Sequence, residues 1–280
     1  MRRELTLIRH LWGVAEPLGA LGRFAGLGFA GIETSIASLP PDGRDRLLAG
    51  CAEHGLGLVA MAYTRAGEAR LGSVDDHLAS LRAQIGASLP GRPWLMNVHS
   101  GCDAWTMPEM IRYFREAVRI AADAPFPIVH ETHRGRCLYS PWIAREILDA
   151  VPDLRLCADF SHWVCVAERL LDDQADLLRR VAGHVDHIHA RVGHSQGPQV
   201  GDPRAPEHAE ALAAHERWWD MVWSSQRQRR LARHTLTPEF GPPPYQPTLP
   251  WTRAPVADVD AICTWQAHRQ RDRFAAGAGA

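Results

Sequence analysis

Four ionisable side chains stand at the ends of short apolar runs in the second half of the chain. Glu131 follows PIVH, Asp159 follows LRLCA, His189 follows VDHI and Glu239 follows TLTP. An ionisable residue placed where a buried strand emerges is expensive to keep unless it is paired or does chemistry. Brought to one place, three carboxylates and an imidazole would repel one another without a cation. The mixed oxygen and nitrogen set suits one divalent ion, such as Mn²⁺, Mg²⁺, Co²⁺ or Zn²⁺. A histidine stands close behind each of the first two acids, His133 and His162.

Bringing the four together requires their strands to lie side by side and run the same way. The chain supplies that pattern. Apolar runs of strand length recur at LTLIRH, GFAGIETSI, LGLVAMAY, WLMNVHSG, PIVHE, LRLCAD, VDHIHARV and RHTLTPEF. Helical patterns separate them: Leu18 to Leu27, a segment through Leu47 and Cys51 ending at His54-Gly55, and a segment capped by Ser73 with Leu78, Leu81 and Ile85 on one face. The later ones run over Met107 to Ala122, Pro141 to Ala150, Leu170 to Val181, Glu207 to about Gln226 and Val256 to Phe274. Eight alternations without hairpin signals predict buried parallel strands with helical crossovers. The expected fold is α/β, a (β/α)8 TIM barrel. Such barrels reach about 250 residues as one domain, so a single domain is expected over residues 1–274, with a disordered small-residue tail at 275–280.

In such a barrel the functional face lies at the C-terminal ends of the strands, where Glu131, Asp159, His189 and Glu239 all fall. The motifs HETHRGR, ADFSHW, HIHARVG and TPEFG resemble the strand-end motifs of the xylose-isomerase-like TIM barrels. That superfamily contains sugar phosphate isomerases and epimerases, ketose 3-epimerases, inosose dehydratases and endonuclease IV. The resemblance spans nearly the whole chain in element order and implies the metal ligands Glu131, Asp159, His189 and Glu239. It further implies that Glu131 and Glu239 double as catalytic proton-transfer groups, and that His162 binds substrate. Arg191 shares a strand face with His189 and is expected either to hold a substrate oxygen or to pair with a rim carboxylate. His99 and His133 are expected to line the pocket, and His187, one pleat deeper, to be a hydrogen-bonded core histidine. His10, Trp12 and Glu33 close the first two strands, with rim and packing roles both open.

The resemblance implies a metal-dependent isomerase or epimerase acting on a small polyhydroxylated substrate. The metal, bound to adjacent carbonyl and hydroxyl oxygens, would acidify the C–H beside them and stabilise an enediolate. A dehydratase of the inosose or dehydroshikimate type would use the same start. A non-catalytic sugar-binding barrel is the reading from another class. Two departures narrow the field: AMAY stands where endonuclease IV has a histidine after its third strand, and QVGDPRAPEHA lacks its Asp-x-His pair. The ketose 3-epimerases' Glu-x-x-Arg continuation is here Ala190-Arg191-Val192-Gly193, which points to a different substrate.

Composition excludes other classes. Net charge is −1 and the arginines are dispersed, so no nucleic-acid footprint is present. The opening apolar run is broken by Arg9 and His10, too short for a secretion signal or a membrane span, and a cytoplasmic protein is expected. The six cysteines form no CxxC pair and are expected to be reduced. The long connection HSQGPQVGDPRAP beside the site is a candidate lid, specificity loop or oligomer contact. Trp218, Trp219 and Trp223 on the helix after it are expected in core and interface packing, compatible with a homo-oligomer.

Overall fold

The computed structural model describes residues 4–277. Eight strands form a closed parallel barrel in sequence order. They are β1 (Leu5–His10), β2 (Gly31–Thr34), β3 (Gly57–Tyr63), β4 (Leu95–His99), β5 (Ile128–Glu131), β6 (Leu156–Ala158), β7 (Val185–His189) and β8 (His234–Thr237). Pairing of Leu5 with His234 closes the ring between β1 and β8. The architecture is the expected (β/α)8 barrel, a single domain.

Helices α1 (Pro17–Gly26), α2 (Pro41–Glu53), α3 (Val74–Ser88), α4 (Met107–Ala122) and α5 (Pro141–Ala150) make the first five crossovers. Local chemistry starts several of them. Ser73 and Asp76 form a reciprocal capping box on α3, as do Thr106 and Glu109 on α4. Helix α8 (Ala209–Gln228) joins β7 to β8, and α9 (Val259–Ala275) packs on β1. The tail expected over 275–280 begins on the last residue of α9, while residues 278–280 lie outside the described ones.

The crossover from β6 differs from the expected single helix over Leu170 to Val181. Helix α6 (Phe160–Ala167) begins directly after Asp159, a short 3-10 turn follows at Asp172–Gln174, and α7 (Ala175–Ala182) completes the connection. Asp159 is the reason α6 starts there, because its side chain accepts the Ser161 N–H in the N-cap position.

The floor of the barrel is apolar: Ile8, Val59, Leu95, Val129 and Cys157 form a cluster separate from the larger strand–helix core, with Trp94 packed against it. Gly57 makes room for that tryptophan, since a Cβ there would lie 2.0 Å from its ring. Side chains alternate along a strand, so the residue two positions further on points the same way. One pleat above the floor, the same strands therefore present His10, Met61, Asn97, Glu131 and Asp159. The change from apolar to polar along one face is what builds a site on this core.

The three tryptophans of α8 are buried, none more than 1% exposed. They serve packing within the chain and offer no face to a second copy. All six cysteines are unpaired as thiols. No helix among the described residues is long and apolar enough to cross a membrane.

Candidate metal centre

Glu131 ends β5, Asp159 caps α6 just after β6, His189 ends β7 and Glu239 lies two residues past β8. Their ligand atoms all fall within 4.8 Å of one another, so the four come together at the C-terminal mouth of the barrel. Three of them are fully buried and Glu239 is 4% exposed. Two other groups of potential ligands, Cys157 with His187 and His189, and His99 with Glu131 and His133, share a residue with this set.

The contacts within the set are those of ligands facing a common point. Nδ1 of His189 lies 2.7 Å from Oε2 of Glu239 and 3.4 Å from Oε2 of Glu131. It nevertheless makes no hydrogen bond, and neither does Oε1 of Glu131. Buried polar atoms without partners are rare and call for a ligand, water or ion. Ligand atoms at about 2.1 Å from one ion stand about 3 Å apart, close to the spacing found here.

Each member is held from outside. Nε2 of His189 contacts Oε1 of Glu33 at 2.9 Å, and Glu33 also accepts from Thr237 Oγ1 and lies 3.3 Å from His187 Nε2. Asn97 donates to Oε2 of Glu131 at 2.6 Å. Ser161 donates both its N–H and its hydroxyl to Oδ1 of Asp159, which leaves Oδ2 facing inward. His187 is the core histidine expected, bonded through Nδ1 to Thr235 Oγ1 at 2.7 Å.

Arg191 takes the ion-pair alternative. Its Nη2 lies 3.0 Å from Asp159 Oδ2 and also pairs with Glu239, while Nη1 is buried without a partner. His162, in the first turn of α6, is fully buried, and neither of its ring nitrogens has a hydrogen bond. His99, His133 and His162 form a row of rings with centroids 4.4 and 3.9 Å apart, the first with Nε2 at 2.9 Å from Glu131 Oε2.

Electrostatics agree with a deficit of positive charge. Four buried carboxylates, Glu33, Glu131, Asp159 and Glu239, face one guanidinium. Burial works against the charged form of His189, yet Cys157 and the carboxylates of Glu239, Glu33 and Glu131 hold it well above its ordinary value. Burial likewise opposes ionisation of Glu131, but His99 and His189 bring it down to about 2. Burial pushes Asp159 up to about 6 against the pull of Arg191. A cluster of this kind is stable only with a counter-charge.

The site is roofed. Tyr245 lies over it, its ring 4.9 Å from the Arg191 guanidinium and edge-on to Trp12 at 4.9 Å. Trp12 in turn covers Gly241, where a Cβ would sit 2.0 Å from the indole. Gln199, from the long loop after β7, both donates to the Gly241 carbonyl and accepts the Gly241 N–H, and it donates to Gln246. The two loops are thus stitched into one cover.

The sequence of this chain matches the family described as xylose isomerase-like TIM barrel over residues 21–207. The chain belongs to that family. No curated protein matches it. Among solved structures, a xylose isomerase-like TIM barrel protein from Mycobacterium smegmatis in complex with magnesium has a TM-score of 0.63 at 13% identity, covering 94% of this chain and 89% of its own. D-allulose 3-epimerase from Methylomonas sp. in complex with D-allulose gives 0.57 at 14% identity, over 96% and 98%. The probable 3-DHS dehydratase AsbF from Bacillus anthracis gives 0.60 at 11% identity, over 95% and 98%. At these identities the likeness is one of fold.

Several residues around this cradle escape strand-end reasoning. Asn97 lies on the interior face between Leu95 and His99, and alternation alone would have found it. Glu33 is fully buried beneath His189 and not at the rim. Tyr245 and Arg134 reach the site from loops, which no periodicity reveals.

Proposed function

We propose that this chain is a divalent-metal-dependent isomerase or epimerase of a small polyhydroxylated carbonyl compound, acting by proton transfer at the carbon beside the carbonyl. The convergence of Glu131, Asp159, His189 and Glu239, with unpaired ligand atoms turned to one point, carries the reading. These residues fit a hard or borderline divalent ion such as Mn²⁺, Mg²⁺, Co²⁺ or Zn²⁺. When bound, the ion would polarise a substrate carbonyl and lower the acidity barrier of the neighbouring C–H. The magnesium of the M. smegmatis relative and the D-allulose of the Methylomonas epimerase support the cofactor and substrate classes.

The chain's own groups then divide the work. Glu131 is anchored through Oε2 by Asn97, so Oε1 is free to take a proton. Glu239 follows a strand three places round the barrel and approaches from another side, which suits it to return a proton to the opposite face. Asp159, tied up by Ser161 and Arg191, binds without transferring. His162 and Nη1 of Arg191 make no hydrogen bond and are poised to bond substrate oxygens where negative charge develops. Tyr245, Trp12 and the Gln199 loop exclude water once a substrate is in place.

Incubation of Mn²⁺-loaded protein with a panel of ketoses in deuterated water tests this. Deuterium should enter at the carbon next to the carbonyl, and Glu131→Gln should abolish it. Loss of water with each deuterium incorporated would identify a dehydratase instead. Absence of exchange with every metal and ketose tried would count against both.

A further inference from the structure

The loop leaving β5 carries Arg134, Gly135 and Arg136. Gly135 has φ 73°, and a Cβ there would stand 2.8 Å from Nη1 of Arg70, so the guanidinium of Arg70 rests on the glycine between the other two arginines. Arg136 is buried and directs its donors at main-chain carbonyls, those of Thr64, Gly101 and Arg65 at 3.0, 3.1 and 3.1 Å. Its charge is therefore solvated but not cancelled, and burial, followed by the nearby charge of Arg70, pushes its guanidinium below the ordinary value. Arg134 is half-buried, with Nη1 3.9 Å from the Cys165 sulfur and its guanidinium 5.2 Å from the Tyr245 ring.

Among the described residues none of these three arginines pairs with a carboxylate, whereas Arg112, Arg155, Arg180 and Arg217 on the outer surface all do. Asp103, on the neighbouring loop, spends its carboxylate on the Cys102 thiol. Arg70 and Arg136 are uncancelled like charges beside one another, and such charges cost stability unless an anion visits them. The rim adjoins the centre: the Tyr245 ring contacts the guanidiniums of both Arg134 and Arg191, and the carbonyl of Arg134 lies 2.5 Å from Nδ1 of His133.

We propose that this rim is an anion subsite, and that the substrate carries a carboxylate or phosphate group which Arg134 grips, aided by the field of Arg70 and Arg136. The inference rests on the proposed metal-dependent reaction, placing the carbonyl end of the substrate under Tyr245 at Glu131 and Glu239 and the anionic end outside it. A neutral ketose such as D-allulose lacks the group that Arg134 would hold. A planar guanidinium fork matches either anion with two parallel bonds, and Lys would supply charge without that geometry.

Binding of fructose, fructose 6-phosphate and 5-keto-gluconate is measured by calorimetry on the full chain, metal-free and Mn²⁺-loaded. The wild type should bind at least one anionic probe about tenfold or more tightly than fructose, and which one does so tells phosphate from carboxylate. Arg134→Gln should bring the ratio of anionic to neutral affinity close to one, and Arg134→Lys should retain part of it, with the circular dichroism of both unchanged. Equal or absent binding of the anions by the wild type, or a preference that survives in Arg134→Gln, would overturn the proposal. Anion preference without deuterium exchange would leave the subsite standing and sink the enzymatic reading. Exchange on fructose without anion preference would do the reverse.

Discussion

Nε2 of His189 contacts Oε1 of Glu33 at 2.9 Å, and this decides which ring nitrogen faces the cradle. With the Nε2 proton committed to a buried carboxylate, Nδ1 is the nitrogen turned towards Glu131 and Glu239. Carboxylate partners of this kind fix the tautomer and orientation of a ligating imidazole. Glu33→Gln should therefore keep the fold and weaken Mn²⁺ binding about ten- to a hundredfold in a calorimetric titration. Unchanged affinity would remove Glu33 from the account.

The roof makes a separate prediction. Gln199→Ala would strip partners from the Gly241 N–H, the Gly241 carbonyl and Gln246. Leaving such groups unsatisfied costs about 1–3 kcal/mol. Amide hydrogen exchange at Gly241, Tyr245 and Gln246 should accelerate while exchange in β5 to β7 is unchanged. Equal protection in variant and wild type would show that the two loops are not coupled.

Two buried histidines outside the four-residue cradle contribute to the pH dependence of stability. His77 contacts Thr64 Oγ1 through Nδ1 and the Arg70 carbonyl through Nε2, and burial lowers its pKa to about 4. His215 donates from Nδ1 to the Ala211 carbonyl and accepts from the Gly193 N–H, and burial takes it also to about 4. In the unfolded chain both titrate near about 6.5. Between these values the unfolded state binds more protons than the native one, so stability increases with pH across the window and is lost as pH falls through it. Urea denaturation should show a loss on the order of 4 kcal/mol between about pH 7 and about pH 5, roughly 2 from each ring. A flat profile there would contradict the neutral, locked state of both rings.

The sequence reveals those parts of the site that lie on strand ends. Glu131, Asp159, His189 and Glu239 each interrupt an apolar run at its C-terminal side, and the barrel follows from eight such runs separated by helix-length segments. Helix α6 is hidden because ADFSHW reads as a strand leaving the core, while the caps that start helices are local side-chain bonds such as Asp159 to Ser161. Arg191 illustrates a choice that composition leaves open: ion pairing with Asp159 and Glu239 depends on how β6, β7 and β8 align. Tyr245 and Trp12 meet across most of the chain, a contact set by loop packing after the barrel has closed.

The metal content of the purified protein is the most direct test of the central claim that Glu131, Asp159, His189 and Glu239 form a metal-binding cradle. One divalent ion per chain should be bound or taken up, raising the melting temperature, with chelator reversing the gain and His189→Ala or Asp159→Asn losing the ion while staying folded. Failure of the wild type to bind any of Mn²⁺, Mg²⁺, Co²⁺ or Zn²⁺, with a melting temperature indifferent to chelator, would contradict it.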